Sequence, residues 1–433
     1  MSYLPINQEL YPERIKSMLS RFKPSGVLTK TATTLMTVIV AAFVLGAQAY
    51  GQTSADDLPI VQAPYAKWFR YDDSILENWR PVADKNDPLR LKVYAGGGPA
   101  TSGLRIEPRF RVMVLYPRPS SAYDVAITRI LNVFSDRNIL AEFTVFNFDR
   151  TDNRGKDAIR LAESSEIDLI FSMGSESTAW LWQHYRNGKI PVVSVTSKDP
   201  VMLGQTKDYD QGTNTNFAFT SLNMPVSAQL AYVLELRPNL RNLAVLVDSK
   251  NVSAMETQAR PIAEAASENG VRVLNLEVRN PENAKTELAD LVRDAVAAMR
   301  KNDVNLENSL FWITGSTSVF REIATINRHS DRVPVLSVVP EVVQEGDDSA
   351  VLSIGISFES NAHLAAIYGL RVLNSEVSVG QLNVGVVSPP DIAINFRKVR
   401  EIGMSIPFNF VEGANYIYDY EGKPVRSKQI PKG

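Results

Sequence analysis

The sequence predicts an α/β protein of two lobes, each built on a parallel sheet. Three observations carry that prediction. The chain has 433 residues, more than one small core would use. From Phe110 onward, short apolar runs alternate with amphipathic helical stretches, the order that gives right-handed β–α–β units and sheets covered on both faces. The apolar runs number about ten, too many for a single Rossmann-like sheet, so two sheets are expected.

Taken in order, the chain opens on a basic flank. Arg14, Lys16, Arg21, Lys23 and Lys30 stand against Glu9 and Glu13. Residues 31–49 hold no charge; their apolar heart runs from Leu35 to Leu45, and Ala47-Gln48-Ala49 supplies the small residues at which a signal peptidase cuts. This is the pattern of a secretory signal peptide cleaved after Ala49, which places the protein in the periplasm. The alternative is a membrane anchor over residues 31–51, just long enough for a hydrocarbon core of ~30 Å. Losing a leader with five basic and two acidic residues takes the formal charge from −2 to −5.

Residues 50–107 read differently. Pro64, Pro81, Pro88 and the Gly96-Gly97-Gly98-Pro99 turn break any long periodicity, yet Trp68, Phe69, Tyr71 and Trp79 make the segment too aromatic for a flexible linker. It is expected to be an extension that packs on the first lobe or docks a partner. Strands are then predicted at 110–116, 142–148, 168–172, 192–195 and 217–220, and again at 243–247, 271–276, 310–313, 335–338 and 352–356. Between them Ile127, Ile130, Leu131 and Phe134 share one helix face, as do Leu288, Leu291, Val292, Ala295 and Met299. Pro225 stands at the start of a helical turn, followed by Val226, Leu230 and Val233.

Composition excludes several chemistries. With no cysteine there is no disulfide framework, thiol nucleophile, cysteine-based zinc site or acylated lipobox. The near-balance of 46 basic and 48 acidic residues argues against a nucleic-acid partner. His184, His329 and His363 are scattered on separate helical runs, so no metal site and no cofactor is expected. No phosphate-binding loop, zinc-protease or serine-hydrolase motif occurs. Gly174-Ser175-Glu176-Ser177-Thr178 looks nucleophile-like, but no His and Asp can be placed beside it, and no catalytic residue is assigned.

A different signal stands out. Several strands end in small polar residues just before a helix begins. The candidates are Ser120, Ser121 and Tyr123 after the first strand, Gly174, Ser175 and Thr178 after the third, and Thr196 and Asp199 after the fourth. Asp248 follows the sixth, Thr314 and Ser316 the eighth, and Glu341 the ninth. The carboxyl ends of parallel strands face the ligand crevice, and free N–H groups with hydroxyls suit small anions. Each loop alone reads as ordinary helix capping; six of them shared by both halves point to a cleft between lobes.

At this point the chain resembles a known family. The stretches Ile190 to Val201 (with Asp199-Pro200), Leu234 to Val247, Ser353 to Phe358, Ala393-Ile394-Asn395 and Ile402 to Pro407 are similar to the substrate-binding proteins of ABC transporters with the type I periplasmic-binding-protein fold. Within that family they look like the uncharacterised-transport group that includes aromatic amino-acid binders. The likeness runs over about residues 109–420. It implies strand exchange through hinge crossings, with lobe 1 at 108–222 plus 357–383, lobe 2 at 223–356 plus 384–425, and a tail at 426–433. It also implies a small-molecule solute, trapped as the lobes close, and a membrane permease that recognises the closed form. Where that family often has an aspartate for a ligand amino group, this chain has Ser316; Glu341 and Asp248 are the alternative sources of that charge. The competing functional reading is a sensing or envelope-interaction protein that docks a membrane partner through residues 50–107.

Overall fold

The computed structural model describes residues 63–96 and 107–427. The expected leader, the cleavage point after Ala49, the alternative anchor and the end of the tail lie outside the described residues. Among the described residues no helix is long and apolar enough to cross a membrane.

Two sheets carry the chain. The first has the order β1-β2-β4-β3-β5-β6-β7, from β1 (Trp79–Ala83), β2 (Arg90–Ala95), β3 (Phe110–Tyr116), β4 (Ala141–Asn147), β5 (Leu169–Met173), β6 (Val192–Val195) and β7 (Phe217–Ala218). From β4 to β7 all neighbours are parallel. Val112 stands opposite Phe143 on one side and Leu169 on the other. These strands are covered on both faces, which is why they read as near-continuous apolar runs.

β8 (Thr220–Ser221) belongs to neither sheet and lies in the crossing that leads to the second. The order of the second sheet is β10-β9-β11-β12-β13-β15-β16-β17, with β9 (Asn242–Asp248), β10 (Arg272–Val278), β11 (Ser309–Ile313), β12 (Val335–Ser337) and β13 (Leu352–Gly355) parallel. β15 (Asp391–Asn395) runs antiparallel to β13, and β16 (Tyr416–Tyr418) and β17 (Pro424–Arg426) complete the edge.

Residues 79–95, expected to lie outside the lobes, are strands of the first sheet. β2 pairs antiparallel with β4, placing Leu91 opposite Val145 and Val93 opposite Phe143. The Trp79 indole is 2% exposed; its Nε1 donates to the Leu131 carbonyl at 3.0 Å, and its ring meets Phe143 edge-on at 5.3 Å. Trp68 is also buried, donating to the Pro88 carbonyl at 2.9 Å, and Phe69 packs beside Tyr116. Trp68, Phe69 and Trp79 are therefore core side chains, not anchors for a partner. Trp180 lies over Phe148, and Trp182 packs edge-on against Phe217 and Phe219.

The backbone passes between the sheets three times. It leaves the first sheet through β8, returns after β13 into the Phe358–Leu373 helix, and crosses again through β14 (Gly385–Val386). β8 and β14 lie side by side in parallel. The Phe358–Leu373 helix packs on the Ser121–Asp136 helix and on β5 and β6. Asn361 ties this region together. Its Oδ1 accepts from the Thr196 N–H at 2.7 Å and from the Thr220 hydroxyl at 3.2 Å, while its Nδ2 donates to the Ser221 carbonyl at 3.1 Å.

Candidate functional site

The carboxyl ends of both parallel sheets meet at one cleft. A cavity of about 50 Å³ lies there, lined from the first lobe by Tyr123, Gly174, Thr196 and Lys198 and from the second by Asn251, Ser253, Gly315 and Thr317. A larger chamber of about 580 Å³ adjoins it and shares Ser120 and Phe358. One wall of that chamber is Lys67, Trp68 and Arg70 from the N-terminal segment; the far wall includes Arg321 and Glu341.

Local sequence explains the geometry. β5 runs straight into the Gly174–His184 helix because Gly174 takes φ +74°, a left-handed conformation that costs other residues about 1–2 kcal/mol. Ser175 thus sits in the first helical turn, where its Oγ accepts from the Lys198 N–H at 2.8 Å. Any Cβ on Gly174 would overlap the Tyr123 hydroxyl. Gly174→Ala is therefore expected to displace Tyr123 and to cost about 1–2 kcal/mol of stability, while weakening ligand binding more than it lowers the melting midpoint. Paired thermal melts and ligand titrations check this; equal affinity in both proteins would remove Tyr123 from the site.

Thr196 also has positive φ, +50°, rare for a β-branched residue. Its N–H is held by Asn361, it is 5% exposed, and its Oγ1 is buried without a hydrogen-bond partner. Buried hydroxyls are normally satisfied, so this one is an acceptor and donor in waiting.

Lys198 is the main charge of the small cavity. It is 6% exposed, and its Nζ lies 3.5 Å from the Gly315 carbonyl. Burial pulls its pKa down to about 8. A Cβ on Gly315 would overlap Lys198 Nζ and push the ammonium aside; the Gly315 N–H donates to the Gln258 Oε1 at 2.8 Å. Glu176 also lines the cavity, but its charge is matched. Burial alone would raise its pKa; Arg150, at 2.7 and 3.1 Å, and Arg118, at 3.0 Å, outweigh that and hold it below the usual carboxylate range. In the larger chamber, burial pushes Asp124 up to about 6 against the opposing pull of Arg70 and Arg321. Burial likewise pushes Glu341 up to about 8, with Asp391 adding to it. The Glu341 Oε1 accepts from the Phe358 N–H at 2.6 Å, and its Oε2 is buried without a partner.

The residues predicted from sequence divide cleanly. Ser120, Ser121, Tyr123, Gly174, Ser175, Thr196 and Glu341 line the two cavities. Five others turn away from them. Thr178 donates to the Gly174 carbonyl at 2.9 Å inside the first lobe. Asp199 caps the following turn, accepting from the N–H groups of Val201 at 2.9 Å and Met202 at 3.0 Å and from the Tyr209 hydroxyl. Asp248 accepts from the Ser318 hydroxyl at 2.7 Å and the Lys250 N–H at 2.9 Å. The Thr314 hydroxyl donates to the Leu246 carbonyl at 3.0 Å, and Ser316 accepts from the Asp248 N–H at 3.3 Å. Each uses its polar atoms to close a strand end. Sequence reasoning missed Lys198, Arg118 and Glu176. The available signal was Lys198 itself, the one cation in the Thr196-Ser197-Lys198-Asp199 loop that follows β6.

No protein-family model matches the chain, and no curated protein matches it in sequence. Solved structures do resemble it. A conserved domain protein from Vibrio cholerae O1 biovar El Tor superposes with a TM-score of 0.57 at 16% identity, over 71% of this chain and 99% of that one. An ABC domain in complex with L-Trp from Streptococcus pneumonia gives 0.56 at 15% identity, over 71% and 99%. The ligand-free, open form of a substrate binding protein with adhesive properties from Clostridium difficile gives 0.53 at 19% identity, over 74% and 100%. Two α/β lobes, three crossings and a cleft at the strand ends, matched over the whole length of these structures, establish that the chain has the type I periplasmic-binding-protein fold.

Proposed function

We propose that the protein is a solute-binding receptor of an ABC-type transport system. It holds a small polar or anionic metabolite between its lobes and presents the closed form to a membrane permease from the periplasmic side. The observation that carries this reading is the cleft itself: strand-end loops of both lobes converge on one cavity in which the Thr196 hydroxyl is buried and unpartnered. The L-Trp complex and the ligand-free open form among the similar structures support small-molecule capture with lobe movement. The binding residues proposed are Ser120, Ser121, Tyr123, Gly174, Ser175, Thr196 and Glu341, joined by Lys198. Function is by binding, without covalent chemistry.

A thermal-shift screen of metabolites on the full chain tests this. A ligand selective for the native state raises the melting midpoint, by about 2.7 kcal/mol of stability at a hundredfold excess over Kd. The same ligand is expected to shrink the radius of gyration in solution scattering as the lobes close. Hits that stabilise without compaction, and whose effect survives Ser120→Ala with Thr196→Val, would overturn the reading.

A further inference from the structure

Lys198 is a buried cation that lacks a counter-charge. Among the described residues it forms no ion pair; its Nζ faces only the Gly315 carbonyl, at 3.5 Å. The one carboxylate lining its cavity, Glu176, is already matched by Arg118 and Arg150. An isolated ammonium in such a place is costly, so chains bury one only where something compensates it. Around it lie groups that suit an anion. The Thr196 hydroxyl is unpartnered and 5% exposed. The Ser121–Asp136 helix, 16 residues long, begins at Ser120, whose side chain makes no capping bond. Free N–H groups at a helix start favour negative charge.

We infer that the receptor's ligand is a carboxylate, with its charged head seated between Lys198 Nζ, the Thr196 hydroxyl and the Ser120 end of the helix, and its body in the adjoining chamber. This rests on the receptor reading above and names its ligand class. The volumes set the shape. About 50 Å³ admits a head group and little more, whereas about 580 Å³ accommodates a body of ordinary metabolite size. The chamber's wall at Lys67, Trp68 and Arg70 comes from the N-terminal segment, so that segment shapes the pocket for the ligand body. Lys198 spans the cleft, from the end of β6 to Gly315 in the other lobe, and so the carboxylate joins both lobes at one point.

The test pairs acids with their neutral amides on the full chain: phenylacetate with phenylacetamide, succinate with succinamide, L-tryptophan with L-tryptophanamide. At least one acid is expected to raise the midpoint while its amide does not. Lys198→Met is expected to weaken that acid roughly ten- to hundredfold, as loss of a charge-assisted bond does, while the ligand-free variant melts at or above the wild-type midpoint. Thr196→Val, nearly isosteric, is expected to weaken it several-fold with unchanged melting. An amide binding as tightly as its acid overturns the carboxylate assignment and leaves the receptor reading standing. A Lys198→Met chain that melts lower or fails to fold, together with Thr196→Val binding undiminished, makes the ammonium a structural group and also overturns the assignment. If no acid of the panel binds the wild type while a neutral polar solute of the metabolite screen does, the carboxylate assignment falls and the receptor reading stands; if the screen too yields no ligand, both fall.

Discussion

A chain lacking residues 63–95 is expected to be recovered as aggregate, not as a shortened receptor. The deletion strips β2 from the edge of β4, leaving a central strand's amides and carbonyls open. It also removes Trp68, Phe69, Ile75, Trp79, Leu91 and Val93 from the core. A single buried Phe or Trp cut to Ala costs about 3–5 kcal/mol, against a total stability of about 5–15 kcal/mol. The milder Trp79→Phe keeps most of the packing but removes the indole N–H shared by the Leu131 carbonyl and the Ser135 hydroxyl; Ser135 still donates to that carbonyl, and about 0.5–1.5 kcal/mol is expected. Soluble yield and circular-dichroism melts of both variants check this. A soluble deletion product melting like the parent would make the segment an appendage, and would favour docking through residues 50–107 as a reading.

The second large effect is a melting midpoint that falls by several degrees between pH 5 and pH 8. Burial pushes Glu341 up to about 8 from an ordinary 4.5, so the native chain keeps a proton that the unfolded chain releases in that window. Stability from this group is fully present below about pH 4.5 and is lost as pH rises through about 8. Asp124, pushed up to about 6, acts in the same direction over the lower part of the window. Lys198 acts oppositely but later. Its native value of about 8 lies below the ordinary 10.5, so stability rises again between those values. Glu341→Gln keeps an oxygen to accept the Phe358 N–H and has no proton to lose. It is expected to match the wild type near pH 5, to melt several degrees higher at pH 8, and to show a flatter profile. Equal slopes in the two proteins would mean that Glu341 is open to solvent.

Much of this fold was legible in the sequence because parallel strands buried on both faces announce themselves as apolar runs. All ten predicted runs form strands, with ends displaced by a residue or two. What was not legible has physical causes. β2 carries a clear alternation, Leu91 and Val93 inward, but Pro88 and the glycines after Ala95 made it read as irregular. β15 follows Pro389-Pro390 and is only five residues long. For the cleft, residue types located the strand-end loops but not the direction of each side chain. Thr178 and Thr196 have the same chemistry; one bonds back to a carbonyl of its own helix, and the other, on a left-handed backbone at the cavity wall, is buried with its hydroxyl unpartnered. Lys198 was invisible as a buried group, because burial of a lysine depends on the opposite lobe.

The outermost strands carry a consequence for how these molecules meet one another. β1 ends the first sheet and contains Arg80-Pro81; β17 ends the second and is Pro424-Val425-Arg426. Proline has no amide hydrogen to offer, and arginine brings charge to the rim. A neighbouring chain seeking to extend either sheet at that end finds a gap in the ladder and a repelling charge. Growth of a shared sheet from molecule to molecule is thereby discouraged at these two edges.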